Sequence, residues 1–563
     1  ANFSNVTTNQ LTVLTPSAYN GYTFKCVVSG ATGCGSVTSN TALLTITPNF
    51  GGTYTVGTGQ TYPTLTAAIA AYNSSTCFSG PVTFNLMDTT YSTAETFPIV
   101  INANAAAGTN RLTIKPNTTA TITGSSTTSI IKLNGADYVT IDGSNNGGTD
   151  KSLTILNTST SSSNTVLWVG STATNGATNN VIKNTVINGN SGTTTTAGVI
   201  VGSGVTLGSA AEVSNSNLTI TNNTISKVQN AVYANGNATT PDTNWTVSNN
   251  IFGSASAVEL GFRGMALLNV NGFSISGNQI TGILTTGSST TSGILVSGAS
   301  SNGAISKNII RNVKNTSSTG YGSNGIYLNS SSTTAAISVT NNMVSDIASY
   351  GYGSGSGAGD NGYGIIVTGG AGYAIQFNTV VLTTSQTNTS GLPAAFNVTS
   401  GVTAANAIDL RNNIFANAQT TGTQRYAIYS TAANTVFSAI DYNNYSTAGP
   451  NIGYIASTSR ADLAAMVTGF GGNANSKNIT PVFASATDVH LDVANNTPLN
   501  NLGTPIAGIT TDIDGDTRNA ATPDMGADEF NVLTCTTANG GAAVAAITSF
   551  CNITSSTTLS ATG

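Results

Sequence analysis

The stretch "FSISGNQITGI", Phe273 to Ile283, and the stretch "AISKNIIRNV", Ala304 to Val313, are two copies of one pattern: an alternating apolar strand, an asparagine, and a second short apolar strand. The pattern returns as "LTITNNTISKV" from Leu218, "WTVSNNIFGS" from Trp245, "ISVTNNMVSDI" from Ile337, "AIQFNTVVL" from Ala374 and "IDLRNNIFANA" from Ile408. Aligned on the asparagine, the repeats give Asn184, Asn223, Asn250, Asn278, Asn308, Asn342, Asn378, Asn413 and Asn444, in steps of 27 to 39 residues. Such steps are those of a solenoid. Gly-led strands lie between them: "GVIVGSG" from Gly198, "GILVSGA" from Gly293, "GIYLNSS" from Gly325 and "GIIVTGG" from Gly364.

Three short strands per repeat with a fixed asparagine corner describe one coil of a right-handed parallel β-helix, so the fold class is all-β. A two-residue corner needs one residue in the left-handed region, which asparagine tolerates best after glycine. Corners stacked about 4.8 Å apart let the side-chain amides bond up the column as a ladder. The variable step places insertions at the other corners.

Composition agrees with a folded, uncharged surface. Charged residues make up only 7% of the 563 residues, 39% are hydrophobic, and the formal charge is −5. Sixteen basic residues spread thinly give no footprint for nucleic acid or an anionic membrane. No apolar run reaches the ~18 residues of a membrane span. The N-terminal "ANFSNVTTNQ" has neither the basic residues nor the apolar core of a signal peptide. An extracellular location, at the cell surface or in a secreted filament, suits this composition.

An open β-helix exposes strand edges and needs caps. "YPTLTAAIAAYN" supplies one, with Thr64 as N-cap and Leu65, Ala68, Ile69 and Tyr72 on one helical face. With the following "RLTIKPN" and "DYVTIDGSNN", this part resembles the pectate-lyase-like β-helix superfamily. The far end, "HLDVANNTPLNNLG" and "TDIDGDTRNAATPDMGADEF", is similar to the closing segment of its secreted bacterial members. The resemblance implies a β-helix over residues 49–530, with a helix cap near 64–73 and a closing segment at 480–530.

The flanks differ. "NGYTFKCVVSG" and "SNTALLTIT" resemble the last two strands of a bacterial Ig-like domain, and residues 531–563, beginning "NVLTCTTANGG", resemble the first two strands of another. Residues 1–48 and 531–563 are thus expected to be partial Ig-like β-sandwich segments. The resemblance implies that Cys26 pairs with an equivalent of Cys551, and Cys34 with one of Cys535. A β-helix of roughly 14 coils, about 65 Å long, would separate the two halves. The partners are then neighbouring Ig-like and β-helix repeats of the same polypeptide, or other copies in a fibre. Cys77, beside the helix cap, reads as a small buried residue.

Candidate chemistry is sparse in the middle coils. Their acids, Glu212, Asp242, Glu259, Asp346, Asp360 and Asp409, are far apart in the repeat register, as are Arg263, Arg311, Lys314 and Arg411. Glycoside hydrolysis needs two carboxyl groups within about 5–10 Å. The single histidine, His490, shows no nucleophile arrangement for acyl transfer and reads as structural. Asp512, Asp514 and Asp516, spaced by two, could offer oxygens to Ca²⁺, the one cofactor this sequence suggests. Tyr321, Tyr350, Tyr352 and Tyr363, in or beside Gly-rich loops, could stack on sugar rings of a surface polysaccharide.

The expectation is a non-enzymatic structural or adhesive module of a long surface protein or filament, similar to those exported by type IX secretion. The alternative is a secreted polysaccharide lyase or glycoside hydrolase. The solvent face between Gly198 and Ser430 discriminates them, because an enzyme needs a groove with two acids, or an acid and a base, within about 10 Å.

Overall fold

The computed structural model describes residues 2–14, 16–46, 49–254, 257–319, 321–351, 361–531, 543–545 and 559–561. Residues from Phe50 onward wind into a right-handed parallel β-solenoid of about 12 turns. One strand of each coil joins a 13-stranded sheet running from Phe50–Val56 to Phe437–Asp441, and the next two join a 25-stranded sheet.

The period of two in each strand fixes which side chains enter the core. Ile220, Val247, Ile275, Ile305, Val339, Ile375 and Leu410 pair in register on successive coils and are fully buried. Ile225, Phe252, Ile280, Ile310, Val344, Val380 and Phe415 form a second such column. Burying each contributes about 1.5–3 kcal/mol, and the stack repeats that contribution coil after coil.

Two adjacent columns share the corner between the sheets. The buried ladder runs through Asn223, Asn250, Asn278, Asn308, Asn342, Asn378 and Asn413 to Asn443. Each Nδ2 donates to the Oδ1 one coil on, at 2.9–3.0 Å, and to a strand carbonyl one coil back, as Asn308 does to Ile275. The left-handed residue is not the ladder asparagine, as the sequence suggests, but the one before it: Asn222, Asn249, Gly277, Lys307, Asn341, Phe377, Asn412 and Tyr442. For this reason Asn184 and Asn444 stand one residue to the side of the column. Asn184 is itself left-handed, with Thr185 in the ladder position bonding Asn223, and Asn444 follows the terminal Asn443.

Helix α1, Leu65–Ser74, covers the first coils. Thr64 Oγ1 accepts from the Ala67 N–H, and the Glu95 carboxylate accepts from the Leu65 and Thr66 N–H groups. A second cap, α2 (Leu463–Phe470), buries Met466 and Phe470 against the last coil, with Asp462 as its N-cap. The stretch "RADLAAMVTGF" signals it: Asp before an apolar run, then Gly.

Beyond α2 the chain does not continue the solenoid. Residues 479–530 return along its outer surface, where Val489 and Ala527 cover Met343, Val381 and Ala416, while Leu491, Leu499, Met525 and Phe530 cover Ile414. The left-handed corner residues hold this segment. Lys307 and Asn341 bond Thr511, Asn412 bonds Thr504, and the Arg518 guanidinium lies 4.1 Å over the Phe377 ring.

Before the solenoid, Thr23–Phe24 pairs with Ala42–Leu43, and Val27–Ser29 with Ser36–Thr38, as one antiparallel hairpin. Cys26, Cys34 and Cys77 are free and exposed. Cys77 is therefore not the small buried residue the sequence suggests. Cys535 and Cys551 lie outside the described residues.

Candidate active-site cleft

The return segment ends its cover part-way along the solenoid, and the step at its edge is a cleft of about 600 Å³. Its floor is the outer face of the coils after the asparagine corner, with Ile251, Gln279 and Ile309 in one row and Gly253, Thr281 and Arg311 in the next. Glu259 of the coils and Thr487, Asp488, Val489 and His490 of the return segment complete its lining. A smaller recess of about 240 Å³ continues past Arg311 to Lys314 and Asp346, an ion pair at 3.0 Å.

Local geometry in "TDVHLDV" places the ionisable pair. Asp488 and His490, two apart, share one side of the chain; the Asp488 carboxylate bonds His490 Nδ1 and accepts the His490 N–H at 3.1 Å. On the other edge of the ring, His490 Nε2 lies 3.0 Å from Asp514 in an ion pair, and Asp528, which accepts the Leu491 N–H, is nearby. Burial works against a charged His490, but the bond to Asp488 and the charges of Asp488, Asp514 and Asp528 outweigh it and raise its pKa. The Asp488 carboxyl is held below its ordinary value, first by the His490 hydrogen bond and further by the charges of His490 and Arg311. Burial raises the Asp528 carboxyl.

Asp488 therefore faces the cleft as an ionised carboxylate, with its side chain 52% exposed, while His490 stands behind it. Arg311 is anchored by Nη1 to the Thr487 carbonyl at 3.0 Å. Glu259 also lines the cleft, and its buried Oε2 has no hydrogen-bond partner among the described residues. Two acids, a cation and an imidazole thus line one cleft where the sequence placed only scattered charges.

The remaining sequence candidates lie elsewhere. Asp512 Oδ1 accepts the N–H groups of Asp514, Gly515 and Asp516, and its Oδ2 accepts that of Glu529. Oxygens of Asp512, Asp514 and Asp528, not Asp516, come within 4.8 Å of one another, and the His490 ring lies beside them. Arg518 pairs with Glu529 at 3.2 Å rather than with the aspartates of this triplet. Tyr363 is no loop residue: it lies in the strand Gly362–Gly369, buried against Ile366, Tyr426 and Tyr429. Tyr321 and Tyr350 are partly exposed, and Tyr352 lies outside the described residues. Arg263 stacks over Phe262 at 3.8 Å, and burial lowers its pKa to about 10.

No protein-family model matches the chain, and no curated protein does. Among solved structures it is similar to the pectate lyase Pel9A, at 14% identity and TM-score 0.36, over 86% of this chain and 97% of that one. It is also similar to the PL6-family alginate lyase AlyGC (14%, TM-score 0.40, 78% of this chain and 55% of that one) and to the periplasmic alginate epimerase AlgG (12%, TM-score 0.31, 66% and 82%). At these identities the likeness concerns the fold. The reading of the chain as a non-enzyme is nevertheless corrected. The groove with acids and a base that it required to be absent is present, lined by Asp488, Glu259, Arg311 and His490. The cause is the return segment, which carries Asp488 and His490 from far along the chain onto the coils that hold Glu259 and Arg311.

Proposed function

We propose that the protein is an extracellular or periplasmic enzyme that cleaves a polysaccharide in this cleft. The observation that carries the reading is the exposed Asp488 carboxylate, backed by His490 and facing a cleft shared with Glu259 and Arg311. Asp488, kept ionised, serves as base or nucleophile at the scissile bond, and Glu259 delivers the proton to the leaving oxygen, the division of labour of two-carboxylate hydrolysis. Arg311 favours a second reading. A guanidinium beside the base would neutralise the carboxylate of a uronic-acid unit, and Asp488 would then take the proton α to that carboxylate in an elimination.

Incubating the full chain with uronic-acid polymers and with neutral ones separates the two. Reducing ends without unsaturated sugars support hydrolysis, unsaturated products support elimination, and no cleavage of any polymer overturns the proposal. Asp488→Asn should abolish turnover. Because His490 is the largest cause keeping Asp488 ionised, His490→Gln should move the acid limb of activity to higher pH.

A further inference from the structure

The asparagine ladder answers each buried amide one coil on, but a second column of the solenoid does not. Asn230, Arg263, Ser292 and Asn324 pair in register on successive coils, the last three standing just before Gly264, Gly293 and Gly325. Each leaves a buried polar atom without a partner: Asn230 Oδ1, Arg263 Nε, Ser292 Oγ, and both Oδ1 and Nδ2 of Asn324. Asn230, Ser292 and Asn324 are 4%, 1% and 0% exposed. Coils stack about 4.8 Å apart, so these groups form one short file. A buried donor or acceptor that bonds nothing is costly, and four in one file call for something that bonds them.

Arg263 sets the charge of that something. Among the described residues no carboxylate pairs with it, and Glu259, earlier in the same stretch of chain, lines the cleft of Asp488 instead. Its Nη2 reaches the Thr290 carbonyl only at 3.5 Å, and the guanidinium lies over the Phe262 ring. With its pKa lowered by burial to about 10, it is still charged at neutral pH. A guanidinium with donors to spare and no counter-ion in the protein suits an oxyanion. Beside the file runs a groove of about 560 Å³ lined by Thr193, Gln229, Phe262, Leu284 and Ser288, with no charged side chain in its lining. Gln229 and Phe262 directly precede Asn230 and Arg263, so the groove adjoins the file. An aromatic ring and an aliphatic chain among hydroxyls and an amide match the apolar faces and hydroxyls of a sugar.

We propose that this groove is a second saccharide site, in which Arg263 takes the carboxylate or sulfate ester of an acidic sugar and Phe262 and Leu284 carry the ring. The choice of a saccharide rests on the function proposed above, whereas the choice of an oxyanion rests on the file alone. The lining holds no acid or imidazole to move a proton, so the groove holds polymer and does not cut it.

Calorimetric titration of the full chain tests this, in an Asp488→Asn background so that no probe is consumed. The probes are a galacturonate trisaccharide, a sulfated disaccharide and a neutral xylose trisaccharide. Arg263→Gln should weaken one acidic-sugar binding event by at least about tenfold, and Arg311→Gln, in the cleft, should leave that event within about twofold. Gln229→Glu puts a carboxylate at the groove from an exposed position and should weaken the same event, which decides the matter if Arg263→Gln does not fold. The tighter of the two acidic probes identifies the oxyanion. Equal affinity for the neutral probe, an event unmoved by both Arg263→Gln and Gln229→Glu, or no binding of either acidic probe would overturn the proposal. Arg263-dependent binding by a chain that cleaves no polymer would strike the enzyme reading and leave this site standing.

Discussion

The asparagine ladder from Asn223 to Asn443 and the return segment from Ser485 to Glu529 both bury polar groups, but the ladder does so without a charge and the return segment around several. In the ladder every amide finds its partner one coil away, so each position repeats the last. In the return segment the partners lie far off in sequence: Arg518 meets Asn341 across 177 residues, and Lys307 meets Thr511 across 204. Periodic satisfaction builds the scaffold, and aperiodic satisfaction builds the cleft on it.

Breaking one rung tests the first half of that contrast and should have the largest effect. Asn308→Ala removes bonds to Asn342 and Ile275 and leaves the Asn278 N–H and amide unanswered in the core. A loss of about 3–5 kcal/mol is expected from several buried unsatisfied groups, read as a fall in the denaturant midpoint. Asn444→Ala, beside the column, breaks only the two bonds to Ile479 and should cost about 1–2 kcal/mol. Equal costs would mean that the ladder is packing rather than hydrogen bonding.

The return segment should break more locally. The Arg518 side chain is 2% exposed and Glu529 6%, and Arg518 also bonds Asn341 and the Gly526 carbonyl. Arg518→Met leaves a buried carboxylate unpaired, at about 3 kcal/mol. Limited proteolysis should then cut between residues 485 and 530 while the coils stay resistant. Cleavage spread through the coils would show that the segment is part of the scaffold.

The two regions each hold one buried acid that titrates near neutrality. Burial pushes Asp242, in the solenoid, and Asp524, in the return segment, up to about 7. A raised carboxyl favours folding most when both states are protonated. Its contribution is therefore complete below about pH 4, falls as pH rises, and levels off above about 7. The fall should amount to at most about 4 kcal/mol per group. Asp242→Asn should flatten it for global unfolding, and Asp524→Asn for opening of the return segment. A slope unchanged by both would place its origin elsewhere.

What the sequence makes legible follows the same division. The coils, their apolar columns and the ladder rungs from Asn223 to Asn413 are written at a regular step and can be read from "NNI" and its variants. The left-handed residue was misassigned because two asparagines often stand together, as at Asn222 and Asn223, and only the backbone tells which one turns the corner. The cleft was not legible, because no local pattern brings Asp488 to Arg311. One signal was present: eight of the 21 acids fall between residues 480 and 530, a concentration unlike the rest of this charge-poor chain.

The smallest effect is expected where the two regions share a residue. Lys307 turns the corner before Asn308 with φ at 57°, a conformation that costs an ordinary side chain about 1–2 kcal/mol and asparagine less. It also reaches across to Thr511 with Nζ at 3.2 Å. Lys307→Asn relieves the first and removes the second, and a partly exposed hydrogen bond contributes about 0.5–1.5 kcal/mol. The two nearly offset, so the denaturant midpoint should move by less than about 0.5 kcal/mol equivalent. A stabilisation beyond that would mean that corner strain dominates and the long-range tie adds little. A loss above about 1 kcal/mol would mean that the corners are kept strained because they hold the return segment, and with it Asp488 and His490, in place over the cleft.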